Sequence, residues 1–203
     1  MWGLLGGVIV SVIGGFAWSR FGPGKSWTRE ALPVIGAISD FSLTNQFGKV
    51  TTLADLRGKV WVANVFFSRC PSACPLMNQK LSAVQGFLAK DAPVRLVSIT
   101  SDPNYDSPEV LKKYGEKYSA QPGRWLFLTG DRKAIFRLVV DDLKLVMIDQ
   151  KPEARSSPED LFIHSQSFVI VDRRGQLRGV FDSTAPGVNE HVVAAVQGLT
   201  QER

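Results

Sequence analysis

The sequence predicts a mixed α/β domain, and three observations carry that prediction. Residues 60–67 are apolar on both faces, as a central parallel strand would be. Behind them, Met77, Leu81, Val84 and Leu88 recur at helical spacing. A second apolar run at residues 94–100 is followed by a second helix start, which repeats the strand-helix alternation of a parallel sheet.

The remaining elements follow in order. Residues 40–44 and 49–53 flank the turn Asn45-Gln-Phe-Gly48 and read as an N-terminal hairpin. Ser107 is placed as a helix N-cap with Pro108 in the first helical position. Residues 125–129 form a strand, and Asp131 opens another helix. Residues 149–160 are a polar excursion. A second hairpin joins residues 167–171 to 176–181 through Asp172-Arg-Arg-Gly175, and residues 188–199 close the chain as a helix. Parallel strands come early and antiparallel strands late. That is the thioredoxin order, so the expected fold is thioredoxin-like with an N-terminal β-hairpin extension.

A single transmembrane helix is expected before this domain. Residues 2–19 carry no charge, would extend about 27 Å as a helix, and end on Trp2 and Trp18, the interfacial residue type. A cleaved signal peptide is the rival reading; it lacks a basic leading region and an A-x-A site before Arg20. Gly22, Pro23, Gly24, Pro33 and Gly36 mark a tether. The expected organisation is an anchor at residues 1–20, a tether at 21–36 and the domain at 37–203. Arg20, Lys25 and Arg29 follow the span, and by the positive-inside rule alone they would place the domain inside the cell. The net charge of +5 is mild and its basic residues are scattered, which excludes a nucleic-acid footprint.

The chemistry concentrates in Cys70-Pro-Ser-Ala-Cys74-Pro75, which holds both cysteines of the 203-residue chain. Two cysteines are too few for a disulfide-built scaffold. On a helix, residues four apart share a face with Cβ atoms about 5–6 Å apart. A disulfide needs about 3.5–4.5 Å, and two thiolates on one metal lie roughly 3.8 Å apart by the zinc example. The spacing therefore permits a redox pair or a metal pair. A helix N-terminus lowers thiol pKa, and Arg69 is expected to add to this. Soft sulfur favours Cu(I), and an added imidazole lets the same site hold Cu(II). His164, one of two histidines, precedes the strand at 167–171 and falls where a third ligand is needed. His191 is given no role, and Met77, one turn beyond Cys74, is assigned to core packing. A purely structural disulfide would close a loop too short to stabilise much.

Two absences narrow the choice. Thioredoxin-type reductases use C-x-x-C with a proline before the hairpin strand; here the spacing is C-x-x-x-C and residues 161–168 contain no proline. Peroxiredoxins carry threonine three residues before the reactive cysteine; here that residue is Phe67.

Over residues 37–200 the chain resembles the Sco (SenC/PrrC) copper-chaperone family. Phe66-Phe-Ser-Arg-Cys70-Pro-Ser-Ala-Cys74-Pro75 is similar to the family's F-x-x-x-C-P-x-x-C-P. Ser98-Ile-Thr-Ser-Asp102-Pro103 with Asp106-Ser-Pro108 is similar to its S-x-D-P…D-T-P, displaced by one residue. Trp125-Leu-Phe-Leu-Thr-Gly130 and His164-Ser165 complete the pattern. Ile163 stands where many members carry an acidic residue. The resemblance implies one copper ion, Cu(I) or Cu(II), bound by Cys70, Cys74 and His164. It implies a metallochaperone that matures the binuclear copper centre of cytochrome c oxidase, with oxidase subunit II or another copper protein as recipient and a periplasmic copper donor. The alternative is a membrane-tethered thiol–disulfide oxidoreductase that reduces the subunit II cysteines through Cys70 and Cys74. Either role requires a domain facing the periplasm or cell exterior, against the basic flank. No Arg- and Ser-rich transit segment precedes the anchor, so a bacterial inner membrane is expected.

Overall fold

The structure, a computed structural model, describes residues 32–151, 153 and 162–202. The expected transmembrane helix, residues 21–31 of the expected tether, and residues 152 and 154–160 of the polar excursion lie outside the described residues. Among the described residues, no helix is long and apolar enough to cross a membrane.

Among the described residues, the first elements are β1 (Gly36–Ala37), the hairpin β2 (Ser42–Asn45) and β3 (Val50–Thr52), and the short helix α1 (Leu53–Leu56). Then come β4 (Val60–Phe66), α2 (Ala73–Phe87), β5 (Val94–Thr100), α3 (Pro108–Glu116), β6 (Trp125–Thr129) and α4 (Arg132–Phe136), which continues as a π turn over Arg137–Asp142. The strands β7 (Met147–Asp149), β8 (Phe162–His164), β9 (Ser167–Val171) and β10 (Gln176–Asp182) precede the last helix, α5 (Val188–Gln201).

Eight strands form one sheet in the order β1-β10-β9-β4-β5-β6-β2-β3. β4, β5 and β6 are parallel, with β4 and β5 paired from Val60↔Val94 to Phe66↔Thr100. β9 runs antiparallel to β4, and β10 antiparallel to β9. This is the expected mixed α/β topology with its added hairpin, β2 and β3.

All seven residues of β4 are buried because the sheet is covered on both faces. Val60, Val62 and Phe66 enter a core with Met77, Leu81 and Val84 of α2, Leu111 of α3 and Val192 and Val196 of α5. Trp61, Ala63 and Val65 enter the opposite core with Leu53 and Leu56 of α1 and Ile135, Leu138 and Val139 beyond Asp131. Each of these fully buried large side chains contributes about 1.5–3 kcal/mol. The layering fixes where chemistry can occur. β4 and β5 end, and β9 begins, at one end of the sheet, so the turn after β4 meets the segment entering β9 there.

Several local features depart from the pattern read in the sequence. α1 is four residues long, below the reach of hydrophobic periodicity, and is started by a local exchange in which Thr52 N–H donates to Asp55 Oδ2 (2.8 Å). The helix capped by Asp131 widens after Phe136, where Leu143 N–H donates to the Leu138 carbonyl (2.9 Å), a five-residue step. The widened turn buries Asp142, which accepts from the backbone N–H and hydroxyl of Ser39, both at 3.1 Å. The chain is already held at Leu32: the buried Arg178 donates to its carbonyl (2.9 Å), to Asp172 (2.9 Å) and to Glu202 (2.8 Å).

Candidate metal centre

β4 ends at Phe66, and the chain turns at once, with Cys70 N–H donating to the Phe67 carbonyl (3.1 Å). α2 starts only at Ala73, with Ser72 as an N-cap that makes no side-chain hydrogen bond. Cys74 is therefore in the first turn of the helix, whereas Cys70 precedes it. The i, i+4 helical geometry expected for the pair does not apply, and Pro75 supplies the reason. A proline is tolerated in the first turn, but deeper in a helix its ring clashes with the carbonyl four residues back. The turn still brings the thiols together. Cys70 Sγ lies 3.5 Å from Cys74 N, so sulfur accepts one of the N–H groups that the start of α2 leaves free.

His164 arrives from β8, opposite Met147 of β7. Its Nε2 is 3.1 Å from Cys74 Sγ, and its Nδ1 is 3.2 Å from the Ser165 carbonyl. A carbonyl can only accept, so Nδ1 carries the proton and the Nε2 lone pair faces the thiols. Phe67 stands edge-on to the imidazole, with centroids 5.8 Å apart. The ligand atoms of Cys70, Cys74 and His164 all lie within 4.8 Å of one another. Cys74 is buried, and Cys70 and His164 are partly open to solvent, which leaves a route for ligand exchange.

The two thiols differ in acidity. Cys70 is lowered from 9.0 to about 4, first by its hydrogen bond with the Cys74 thiol, against the opposing cost of burial, and further by the backbone N–H groups of Cys74 and Ser72. Cys74 is pushed up, first by burial and then by the negative charge of Cys70. Cys70 is thus the thiolate, and Cys74 keeps its proton until a cation or an oxidant removes it. Arg69 does not supply the charge expected of it. Its guanidinium pairs with Asp102 (2.6 Å) and lies 4.1 Å from the centroid of the Tyr105 ring. Met77 is a core residue, 2 % exposed, and His191 lies on an exposed face of α5 outside the three-residue cluster.

The sequence reading gave no role to the carboxylate beneath the turn. Asp106 is fully buried and accepts from Ser68 N–H (3.1 Å), the Ser68 hydroxyl and the Thr100 hydroxyl. Burial raises its pKa despite these bonds. It pins the residue two positions before Cys70. The available signal was a pair of hydroxyl residues, Ser68 and Thr100, just after or at the end of central strands, with an aspartate in the following loop.

Among the described residues, two thiols and an imidazole converge without a carboxylate, a soft donor set suited to copper or zinc and poorly suited to magnesium or calcium. The same thiols can also close a disulfide after adjustment of the turn.

The SCO1/SenC family model matches residues 33–201. A SCO1 protein homolog of Bacillus subtilis is 33% identical over 147 residues, covering 71% of this chain and 73% of that protein. BsSco, a Sco-family cytochrome c oxidase assembly protein in which a disulfide switch has been identified, matches with a TM-score of 0.72 and 28% identity. That match covers 86% of this chain and 98% of BsSco. Yeast Sco1 with copper bound matches with a TM-score of 0.63 and 27% identity, over 77% of this chain and 87% of the yeast chain. Because the family model spans most of the chain and the Bacillus subtilis relative is 33% identical over more than two thirds of both proteins, the chain belongs to the SCO1/SenC family.

Proposed function

We propose that this protein is a copper carrier that binds one ion through Cys70, Cys74 and His164 and delivers it for assembly of cytochrome c oxidase. The observation that carries the reading is the convergence of three soft or borderline ligand atoms within 4.8 Å, with two of the three residues partly solvent-accessible. The copper-bound state of yeast Sco1 and the assembly role named for BsSco support it. Copper is cargo here. The Cys70 thiolate and the Nε2 lone pair are ready ligands, and Cys74 loses its proton on metal binding, so loading releases protons. A three-ligand site leaves room for a recipient thiolate to enter before the carrier's ligands leave. The recipient in this reading is oxidase subunit II, supplied with copper by a periplasmic donor. Residues 2–19 hold the domain at a bacterial inner membrane, facing the periplasm.

The test is anaerobic copper titration of the reduced full chain, wild type and His164→Ala, followed by metal content and thiolate-to-copper absorption. One tight equivalent is expected in the wild type. His164→Ala should bind at least about tenfold more weakly, the scale of one lost ligand interaction of 1.4 kcal/mol or more. Equal affinity in the variant would defeat the three-ligand reading.

The unequal acidity of the thiols favours a second reading, thiol–disulfide exchange. The Cys70 thiolate would attack a recipient disulfide to form a mixed disulfide and expel one recipient thiolate. Cys74, giving up its proton, would then attack Cys70 sulfur, leaving an oxidised Cys70–Cys74 pair and a recipient reduced by two electrons. Efficient reduction of a disulfide peptide by His164→Ala protein, with no copper bound by the wild type, would establish this reading over the carrier.

A further inference from the structure

The three ligand residues are not held equally. Cys70 and Cys74 stand on the turn and helix that follow β4, within the main fold. His164 stands on β8, which pairs with β7 in a two-stranded sheet separate from the eight-stranded one. A ribbon with three residues per strand is marginal alone, so whatever docks it decides where His164 points.

Arg132, the first residue of α4, reaches both strands of that ribbon. Its guanidinium pairs with the Asp149 carboxylate of β7, and its Cζ lies 5.8 Å from the centroid of the Phe162 ring of β8. Asp149 and Phe162 are directly opposite in register. Phe162 meets Phe67 edge-to-face with centroids 5.2 Å apart, and Phe67 meets His164 in the same manner at 5.8 Å. Phe162 and His164, two apart on a strand, share a face. Phe67 therefore contacts both, and Arg132 closes over the outer ring. At the other end of the ribbon, Val146 N–H donates to Ser165 Oγ (2.7 Å) and Ser165 N–H to the Val146 carbonyl (3.0 Å).

We propose that Arg132 is a positioning residue for the metal centre, a latch that fixes the β7–β8 ribbon on α4 and so aims His164 at the thiols. The proposal rests on the reading of His164 as the third copper ligand. Both contacts of Arg132 are partly exposed, its side chain being 42% and that of Asp149 64% accessible. Its effect is accordingly modest, about a 3- to 10-fold change in the population of the aimed state. Arg132 touches neither cysteine in any contact described for it, so it acts on the histidine arm alone.

The test uses the full chain in four forms: wild type, Arg132→Ala, His164→Ala and the double variant. Copper affinity should fall about 3- to 10-fold in Arg132→Ala, and in the His164→Ala background the same change should have no further effect. In metal-free protein, hydrogen exchange at the β7 and β8 amides should speed up in Arg132→Ala and be largely restored in Arg132→Lys, which keeps the charge. Wild-type affinity in Arg132→Ala, or an equal loss with and without His164, overturns the proposal. If His164→Ala alone binds copper as tightly as wild type, the three-ligand reading fails instead, and the exchange rates of the metal-free protein still decide whether Arg132 holds the ribbon.

Discussion

At the scale of single residues, the site depends on two cysteines of the same type behaving oppositely. Thiolate is the reactive form, and the pKa of Cys70 is lowered to about 4, so its reactivity should persist as the pH falls and fade only below that value. Alkylation of reduced, metal-free protein should rise through about pH 4 and be level by about pH 6, where an ordinary thiol is still nearly all protonated. Mass spectrometry at neutral pH should find one adduct, on Cys70. A rate still climbing at pH 8, or adducts divided between the two cysteines, would contradict the asymmetry. The three clustered residues, Cys70, Cys74 and His164, were legible in the sequence because Cys and His are scarce in it, two of each. Asp106 was not. Aspartate is common, and its partners Ser68 and Thr100 lie 38 and 6 residues away, joined to it only by the pairing of β4 with β5.

At the scale of elements, apolar runs and caps named β4, β5, β6, α2 and α3, because each buries a face large enough to leave a periodic trace. Ser107 caps α3 as expected, accepting from Val110 N–H at 3.3 Å. The ribbon of β7 and β8 left no such trace. Each strand has three residues, and its partner is thirteen or more positions away along the chain. The thiol turn was misread as helix because spacing alone ignores where Pro75 may sit. Asp106 organises that turn, so Asp106→Ala should leave the Ser68 N–H without its acceptor and lower stability by about 1–3 kcal/mol. The loss would appear as a lower urea midpoint with unchanged slope. Asp106→Asn, which keeps one acceptor oxygen, should cost clearly less; an equal loss in both variants would show that the bond to Ser68 is not the cause.

At the scale of the whole molecule, strand alternation identified the class, but the order of strands in the sheet had no local signature. β9 is placed beside β4, and β10 beside β9, by the match of Phe168, Ile170 and Leu177 to cores already started by earlier strands. Arg178 then ties the perimeter together through Leu32, Asp172 and Glu202. Its side chain is 8% exposed and that of Asp172 7%. Arg178→Ala should destabilise the fold by about 3–5 kcal/mol, because it strands a buried carboxylate. Equilibrium urea unfolding reads this directly, and a change below about 1 kcal/mol would mean that water replaces the guanidinium at no cost. The same arginine decides how the molecule can be handled. Asp172 follows Val171, which pairs with Trp61 near the start of β4, while Cys70 follows the end of that strand, roughly 20 Å away at strand rise. Both Leu32 and Glu202 are fastened at the pole remote from the thiols. A molecule grafted to an electrode or sensor chip through its carboxyl end would present Cys70 to the solution, with the graft clear of any copper donor or acceptor in the bulk.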